Sequence, residues 1–588
     1  MTIILGLNAY HGDAAACILV HGRLIAAVEE ERFRRIKHWA GFPQLSIEYC
    51  LEEAGVRLAD IEHVAINSNP KANLLKKLGF VVRRRPELRL LLDRARNAQE
   101  RGSVQDELAR AFPGQRFAGE VHRVEHHEAH LASTYYPSPF SDAAVVSVDG
   151  FGDFSSMAWG TGHAGHIEVE ARTYFPHSLG IFYQALTQYL GFPNYGDEYK
   201  VMGLAPYGKP TYLDAMRRVV RLLPQGQFEL DLQYFRHHRE EISYEWSGGS
   251  PSISELYTPA LGELLGPARR RDEPLTDHHR DLAHSIQAMY EEAFFHLLAH
   301  VHHHTGLTDV TLAGGCAMNS VANGKVRRRS PFKRVYIQSA AGDAGGAIGA
   351  ALHVKAALGD RTPCPMTHAY WGPGYDTADI QRTLEEHEQA LHAAHCSVTV
   401  EQQEAALCQR VAQAIADGKV IGWFQGRMEW GPRALGNRSI LGDPRRADMK
   451  DILNLKIKRR ESFRPFAPSI LRNEVDAWFE EEDDVPFMMK VFQIRAEQRP
   501  RIPAVAHVDG SGRLQTVTQE DNPLYYRLID AFRELTGVPI LLNTSFNENE
   551  PVVCRPAEAI ACFLRTKMDM LVLGQHICER KETLDPKE

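Results

Sequence analysis

Two histidines four residues apart, His126 and His130 in HHEAH, have a type and spacing that could do chemistry. On a helix, positions i and i+4 share a face, so the two imidazoles would project together and His127 would turn away. Such a pair can hold one metal ion. A solvated helix end would look the same, and with 28 histidines in the chain the motif alone does not choose. A second set is basic. Arg433 stands in WGPRALGNRSILGDPR; Lys456, Lys458, Arg459, Arg460 and Arg464 fall within nine residues, and Arg513 follows. These cations sit among glycines, prolines and apolar strands, which suits a dense anion such as phosphate or carbamoyl phosphate, with arginine forks adding bidentate geometry. Separate surface salt bridges are the competing explanation. Asn543, Thr544 and Ser545, after the apolar VPILL, offer neutral hydrogen bonds.

The elements that must position these residues show an internal repeat. Ile3 to Asn8 is a short apolar strand, followed by a polar loop with His11 and Asp13. AAACILV, the turn His21-Gly22 and RLIAAVEEE form a hairpin pattern. From Ala143 the chain does this again: AAVVSVDGFGD is an apolar strand ending in an acidic glycine loop, and SSMAWGTGHAGHIEVEART is strand, turn, strand. A duplicated module predicts two similar lobes with a cleft between them, and the loops bearing Asp13 and Asp149 should face it.

An amphipathic segment from Asp277 to His304 places Leu282, Ile286, Met289, Ala293, Leu297 and Val301 on one helix face. Its closing HHHTG suits a helix C-terminus, where cations complement the dipole and Gly306 stops the helix, better than a metal site. VTLAGGCAMNSVANGK and VYIQSAAGDAGGAIGAALHV then give two strand–glycine loop–helix units. Glycine lets backbone approach a ligand, and helix N-termini favour phosphate. Two such loops after a duplicated module point to an actin- or sugar-kinase-like nucleotide cleft. The stretch rich in Pro, Gly and Tyr from about Pro363 to Asp376 marks a boundary between domains 1–362 and 363–588. A helix from about Glu401 to Gly418 and the strand VIGWFQG open the second domain.

Taken together, NAYHGDAAACIL, VEEERFRRIKH, HHEAHLAS, VSVDGFGD, GDEYKVMGLAPYG, AGGCAMNSVANGK, GDAGGAIGAA, GPRALGNRSIL, FRPFAPSIL and NTSFNENEPV run in this order over nearly the whole chain. They resemble the O-carbamoyltransferases of nodulation-factor and antibiotic biosynthesis. The resemblance implies an α/β protein. Its N-terminal domain would be actin-like, with duplicated RNase H-like lobes of the ASKHA kind, and its C-terminal α/β domain YrdC-like. It implies one divalent metal, Fe2+ favoured, on His126, His130, Asp149 and Asp343; imidazole and carboxylate suit a transition metal that keeps open positions. It implies a C-terminal adenylation domain that makes carbamoyl-adenylate from carbamoyl phosphate and ATP, with Mg2+ accompanying the nucleotide. That step would use Arg433, Lys458, Arg464, Arg513 and Ser545. The N-terminal domain would transfer the carbamoyl group to a hydroxyl of a small natural-product or sugar acceptor. His11 matches the family's candidate base; a hydrogen-bonded structural histidine is the plainer alternative. Substrate or nucleotide contacts would fall to Lys37, Glu198, Gly314, Gly315, Asn319, Gly345 and Asn543.

Other readings are less well supported. A zinc protease needs HExxH, and the frame here is HEAHL. Hydrogenase-maturation carbamoyl transfer would bring paired-cysteine fingers and an acylphosphatase segment, and none of the nine cysteines lies in a CxxC. A threonylcarbamoyladenosine-type tRNA enzyme would want a basic surface, whereas the net charge is −8. The basic stretch from Arg83 fits a solvated helical face. No run of about 18 apolar residues is present, so no membrane span is expected. The N-terminus lacks a basic leader and is broken by Asn8, His11 and Asp13, as in a folded strand. Unpaired thiols suit the cytoplasm. The expected partners are ATP, carbamoyl phosphate and a hydroxyl-bearing acceptor, with no nucleic acid or membrane and with a homodimer left open. The segment from about Pro210 to Pro274 matches no motif and is expected to shape acceptor choice.

Overall fold

The apolar N-terminal segment forms β1 (Ile3–Asn8), wholly buried, and the hairpin pattern forms β2 (Ala15–Val20) and β3 (Arg23–Glu29). His21 and Gly22 take positive φ, 51° and 74°, the twist that a two-residue hairpin turn requires. The computed structural model describes residues 2–84, 103–240, 242–245, 251–458, 461 and 463–580. Arg459, Arg460 and most of the basic stretch that begins at Arg83 lie outside the described residues. The chain divides into two compact units, Met1–Met366 and Thr367–Glu588.

In the first unit, β4 (His63–Ile66) joins β1 in parallel and β5 (Glu120–Arg123) joins β4 in parallel, giving the order β3-β2-β1-β4-β5. α1 (His126–Tyr135) follows at once. A second sheet repeats the plan. β6 (Asp142–Gly152), β7 (Ser155–His163) and β8 (His166–Tyr174) form the meander. β9 (Asp309–Ala313) and β10 (Arg334–Tyr336) add in parallel, in the order β10-β9-β6-β7-β8. The same strand order and the same directions occur twice, the duplicated arrangement of an actin-like fold.

Between the meander and β9 run α2 (Glu198–Leu204) and α3 (Asp277–Thr305). All six apolar positions expected on one face of α3 are buried, and Gly306 caps the helix in the left-handed region. α4 (Gly345–Ala357) packs on α1, and Gly349 permits it: a Cβ there would strike the Ala129 carbonyl.

The second unit is built on an eight-stranded mixed sheet. It contains β11 (Cys396–Val400), β12 (Ile421–Phe424), β13 (Arg438–Gly442), β14 (Ala467–Leu471), β15 (Gln515–Val517), β16 (Ile540–Ser545), β17 (Met570–Leu573) and β18 (His576–Arg580). Their order is β11-β18-β17-β12-β13-β16-β14-β15. α5 (Glu404–Ala416) and α6 (Pro523–Thr536) pack together, and Leu407, Val411, Leu528 and Phe532 share one core with Trp423, Ile440 and Leu541. No helix among the described residues is long and apolar enough to cross a membrane.

Candidate metal centre and anion pocket

His126 and His130 stand one turn apart on α1 and aim their Nε2 atoms at the same point, 3.0 Å from each other. Asp149, within β6, brings Oδ2 to 3.1 Å from His126 Nε2 and 3.2 Å from His130 Nε2. Asp343, in the loop before α4, brings Oδ1 to 3.6 Å and 3.5 Å from the same nitrogens. The four ligand atoms all lie within 4.8 Å of one another. Two imidazole nitrogens at this distance cannot both carry a proton without repulsion, yet both are turned toward two carboxylates. The donor set fits a divalent transition metal. Charge points the same way. Burial pulls the His126 imidazole down, but its hydrogen bond to Asp149 and the charges of Asp343 and Asp149 outweigh this and raise it to about 10. Burial pushes the Asp149 carboxyl up, yet bonds to both imidazoles hold it well below the usual carboxylate range. The carboxylates therefore demand positive charge here, whether protons or a metal cation supply it.

Packing sets the ring positions. Gly152 has no side chain because the His126 ring occupies that space. Among the described residues, neither His126 Nδ1 nor His130 Nδ1 has a hydrogen-bond partner, although both are buried. His127 turns away, its Nδ1 2.9 Å from Ser147 Oγ, and burial pushes it down to about 4. Asp153 was not singled out in the sequence, and it anchors the start of α1: its Oδ2 accepts the His126 backbone N–H at 3.0 Å and that of Asn69 at 2.7 Å. The second acid of DGFGD was the available signal.

The glycine loops have protein-internal reasons as well. The Gly315 N–H donates to Asp149 Oδ1 at 2.8 Å, so this loop touches a ligand residue directly. Gly314, at φ 88°, lies where a Cβ would strike the Val148 carbonyl, and Gly345 lies likewise against the Ala340 carbonyl. Asn319 caps a short helix, accepting the Ala322 N–H at 3.1 Å, and its amide pairs with that of Gln287.

His11 is half-buried, its ring centroid 5.5 Å from that of His126. The β1 loop of the first lobe thus reaches the donor cluster of the second. In the same loop Asp13 Oδ1 is 2.7 Å from His38 Nδ1. Burial would lower His38, but the Asp13 charge and hydrogen bond, helped by Glu31, raise it to about 9, against the opposing charge of Lys37. At the head of α2, burial pushes the Glu198 carboxyl up to about 7; Asp197 adds to this and His38 opposes it. Asp13, Lys37, His38 and Glu198 thus influence one another's charge, and Asp13 shares its loop with His11. The Asp13–His38 pair has no local motif, since 25 residues separate its members.

In the second unit Asn543, on β16, donates to the Ala434 carbonyl at 3.2 Å, Ser469 Oγ at 3.1 Å and Gln515 Oε1 at 3.2 Å. It thereby ties together the loop of Arg433 and the strand that follows Arg513. Two residues on, Ser545 meets Lys458, which is 2 % exposed. Lys458 Nζ donates to the Ser545 carbonyl at 2.6 Å and to Asn547 Oδ1 at 2.6 Å. Arg464 lies 3.5 Å from Glu461 and three residues before Ala467, the register partner of Asn543. Lys456 departs from the expected cluster: its Nζ lies 2.9 Å from both Asp569 carboxylate oxygens, so its charge is matched within the protein. Lys456 and Lys458 fall in a π-helical turn and, two residues apart on a helical turn, point to different partners.

The description "Carbamoyltransferase N-terminus" matches residues 3–352 and "Carbamoyltransferase C-terminus" residues 412–580. The chain is 40% identical to protein sll1178 of Synechocystis sp., covering 98% of this chain and 96% of that one. It is 40% identical to nodulation protein NolNO of Sinorhizobium fredii, covering 99% and 81%. The crystal structure of T. kodakarensis HypF aligns with 61% of this chain and 48% of its own at 14% identity, with a TM-score of 0.32. Matched in both of its units and along nearly its whole length, the chain belongs to the carbamoyltransferase family and is a transferase.

Proposed function

We propose that this enzyme is an ATP-dependent O-carbamoyltransferase that divides two reactions between its two units. In the second unit Arg433, Lys458, Arg464, Arg513 and Ser545 hold the phosphates of ATP and carbamoyl phosphate. Cationic forks and an ammonium offset the charge that gathers when two such anions meet. Water takes the phosphoryl group of carbamoyl phosphate, releasing phosphate and carbamate; a carbamate oxygen then attacks the α-phosphate of ATP, the bond to the β-phosphate breaks, and pyrophosphate leaves. Mg2+ accompanies the ATP.

In the first unit the acceptor oxygen attacks the carbamoyl carbon, the bond to the adenylate oxygen breaks, and AMP leaves. His11 takes the acceptor's proton. His126, His130, Asp149 and Asp343 would hold one divalent metal, Fe2+ favoured, which when bound supplies positive charge for phosphate oxygens. Lys37, Glu198 and the Gly314-Gly315 loop would contribute substrate or nucleotide contacts. The acceptor is a hydroxyl-bearing small molecule of the sugar or natural-product class. All nine cysteines are free, which suits a reducing compartment such as the cytoplasm.

The observation that carries this reading is the 5.5 Å approach of His11, an acid–base side chain, to His126 in the four-donor cluster. The test is incubation of the purified chain with carbamoyl phosphate, ATP and a panel of hydroxyl compounds, followed by mass spectrometry. Carbamoyl phosphate-dependent formation of AMP and a carbamoylated product is expected. ATP left intact in the presence of carbamoyl phosphate would refute the adenylation step.

A further inference from the structure

At the edge of the first lobe's sheet, three more ligand-type side chains meet. His63 opens β4 and Glu120 opens β5, and the two are register partners in a parallel pair. Alternation along β5 puts Glu120 and His122 on one face. His63 Nδ1 lies 3.0 Å from His122 Nε2, and Glu120 Oε2 lies 3.8 Å from that same His122 nitrogen. One atom from each side chain falls inside a 4.8 Å limit. A tetrahedral zinc ion with bonds of about 2.0–2.1 Å sets its ligand atoms roughly 3.3 Å apart. The set shares no residue with the His126 cluster. Two of its members, His63 and Glu120, open β4 and β5, whereas α1, which carries His126 and His130, follows the carboxyl end of β5.

We propose that His63, Glu120 and His122 hold a second divalent metal ion of the zinc class, with two imidazole nitrogens, one carboxylate oxygen and a remaining position for water. Two touching neutral imidazoles share one N–H···N bond. A metal replaces that single bond with two coordination bonds and also neutralises Glu120. The His122 side chain is 23% exposed and that of Glu120 70%, so an ion enters directly from solvent. The site is structural. β5 is an edge strand of four residues, held on one side only. Val124 and Glu125 alone separate it from α1. An ion bridging β4 and β5 pins a short strand that would otherwise fray, and with it the start of the helix that carries His126 and His130.

The probe is Zn2+ alone, titrated calorimetrically into the chelator-stripped full chain. The background is His130→Ala, so that the result does not depend on the other cluster. Thermal unfolding is followed with and without the ion. Zn2+ should bind and raise the melting temperature. Adding His122→Gln, which keeps a hydrogen-bonding side chain, should weaken binding about 10–100-fold or more and remove the thermal gain. Equal binding and equal thermal gain with and without His122→Gln would overturn the proposal, as would a His130→Ala chain that takes up no Zn2+. If His130→Ala does not fold, His122→Gln is placed in the otherwise unaltered chain. Bound Zn2+ should then fall from two ions per chain to one, and an unchanged ratio overturns the assignment.

Discussion

In the first lobe of the N-terminal unit the loop after β1 carries His11 and Asp13; in the second lobe β6 carries Asp149 at the corresponding end. The strand order around both is the same. What differs is the company each acid keeps. Asp149 meets two imidazoles and a second carboxylate and is held anionic. Asp13 meets His38 and leaves His11 to lean over the donor cluster. Duplication thus supplies two equivalent positions, and in the function proposed above a few different loop residues would make one a cation site and the other an acid–base site. A symmetric scaffold favours such a division because each loop can change without disturbing the sheet that bears it.

The sharpest way to break this comparison is to remove the cation site. His130→Ala should lose the metal bound at that cluster and abolish transfer from supplied carbamoyl-adenylate, because His127 is committed to Ser147 and cannot replace it. Elemental analysis beside the transfer assay decides; undiminished metal at the His126 cluster would mean that the donor set is not a ligand set. The acid–base side comes next. His11→Asn should keep metal and adenylate formation and lose ~10²–10⁴-fold in transfer, the usual worth of a general base. Wild-type transfer would make His11 a positioning residue. In the other unit, Arg464→Ala should slow adenylate formation at least about tenfold, since a lost charged hydrogen bond costs ~2 kcal/mol. Transfer from supplied carbamoyl-adenylate should persist. The reverse pattern would exchange the roles of the two units.

The smallest expected effect is on stability. In the folded chain His38 titrates near 9, above its ordinary ~6.5. The Asp13–His38 pair therefore contributes fully below about pH 6.5, and its contribution fades as pH rises through about 9. Asp13→Asn should lower stability by on the order of 1–2 kcal/mol at pH 6 and by almost nothing above pH 9.5. Denaturant melts at both pH values check it, and a deficit that is equal at the two would remove the charge explanation.

Most of what positions the site could be read from residue order. The repeated meander was visible because apolar runs and glycine turns are local signals. His126 and His130 were visible because helical spacing is too. The fourth and fifth strands of the first lobe were not visible: His63–Ile66 and Glu120–Arg123 are four residues each, too short for an alternation to stand out. Lys456 was placed with the phosphate-binding cations, and only three-dimensional structure reveals Asp569, more than a hundred positions away, as its partner. Gly314 and Gly345 suggested ligand approach, but neighbouring carbonyls already exclude a side chain at both positions. Composition cannot separate these two causes, because glycine answers both.

One feature of the donor cluster bears on which ion the proposed metal site would carry in a cell. Both ring nitrogens remote from the cluster are buried without a partner among the described residues, so no hydrogen bond on that side fixes either imidazole's tilt. Metal sites usually discriminate by holding ligands at angles that one ion prefers and another does not. Here, away from the ligand side, small ring rotations are opposed by packing, including the space left at Gly152. Ions of similar size and different preferred geometry could then occupy the cluster in turn. The ion present would follow local supply more than intrinsic preference, and metal exchange during purification would change the apparent activity of a chain whose sequence and fold are unaltered.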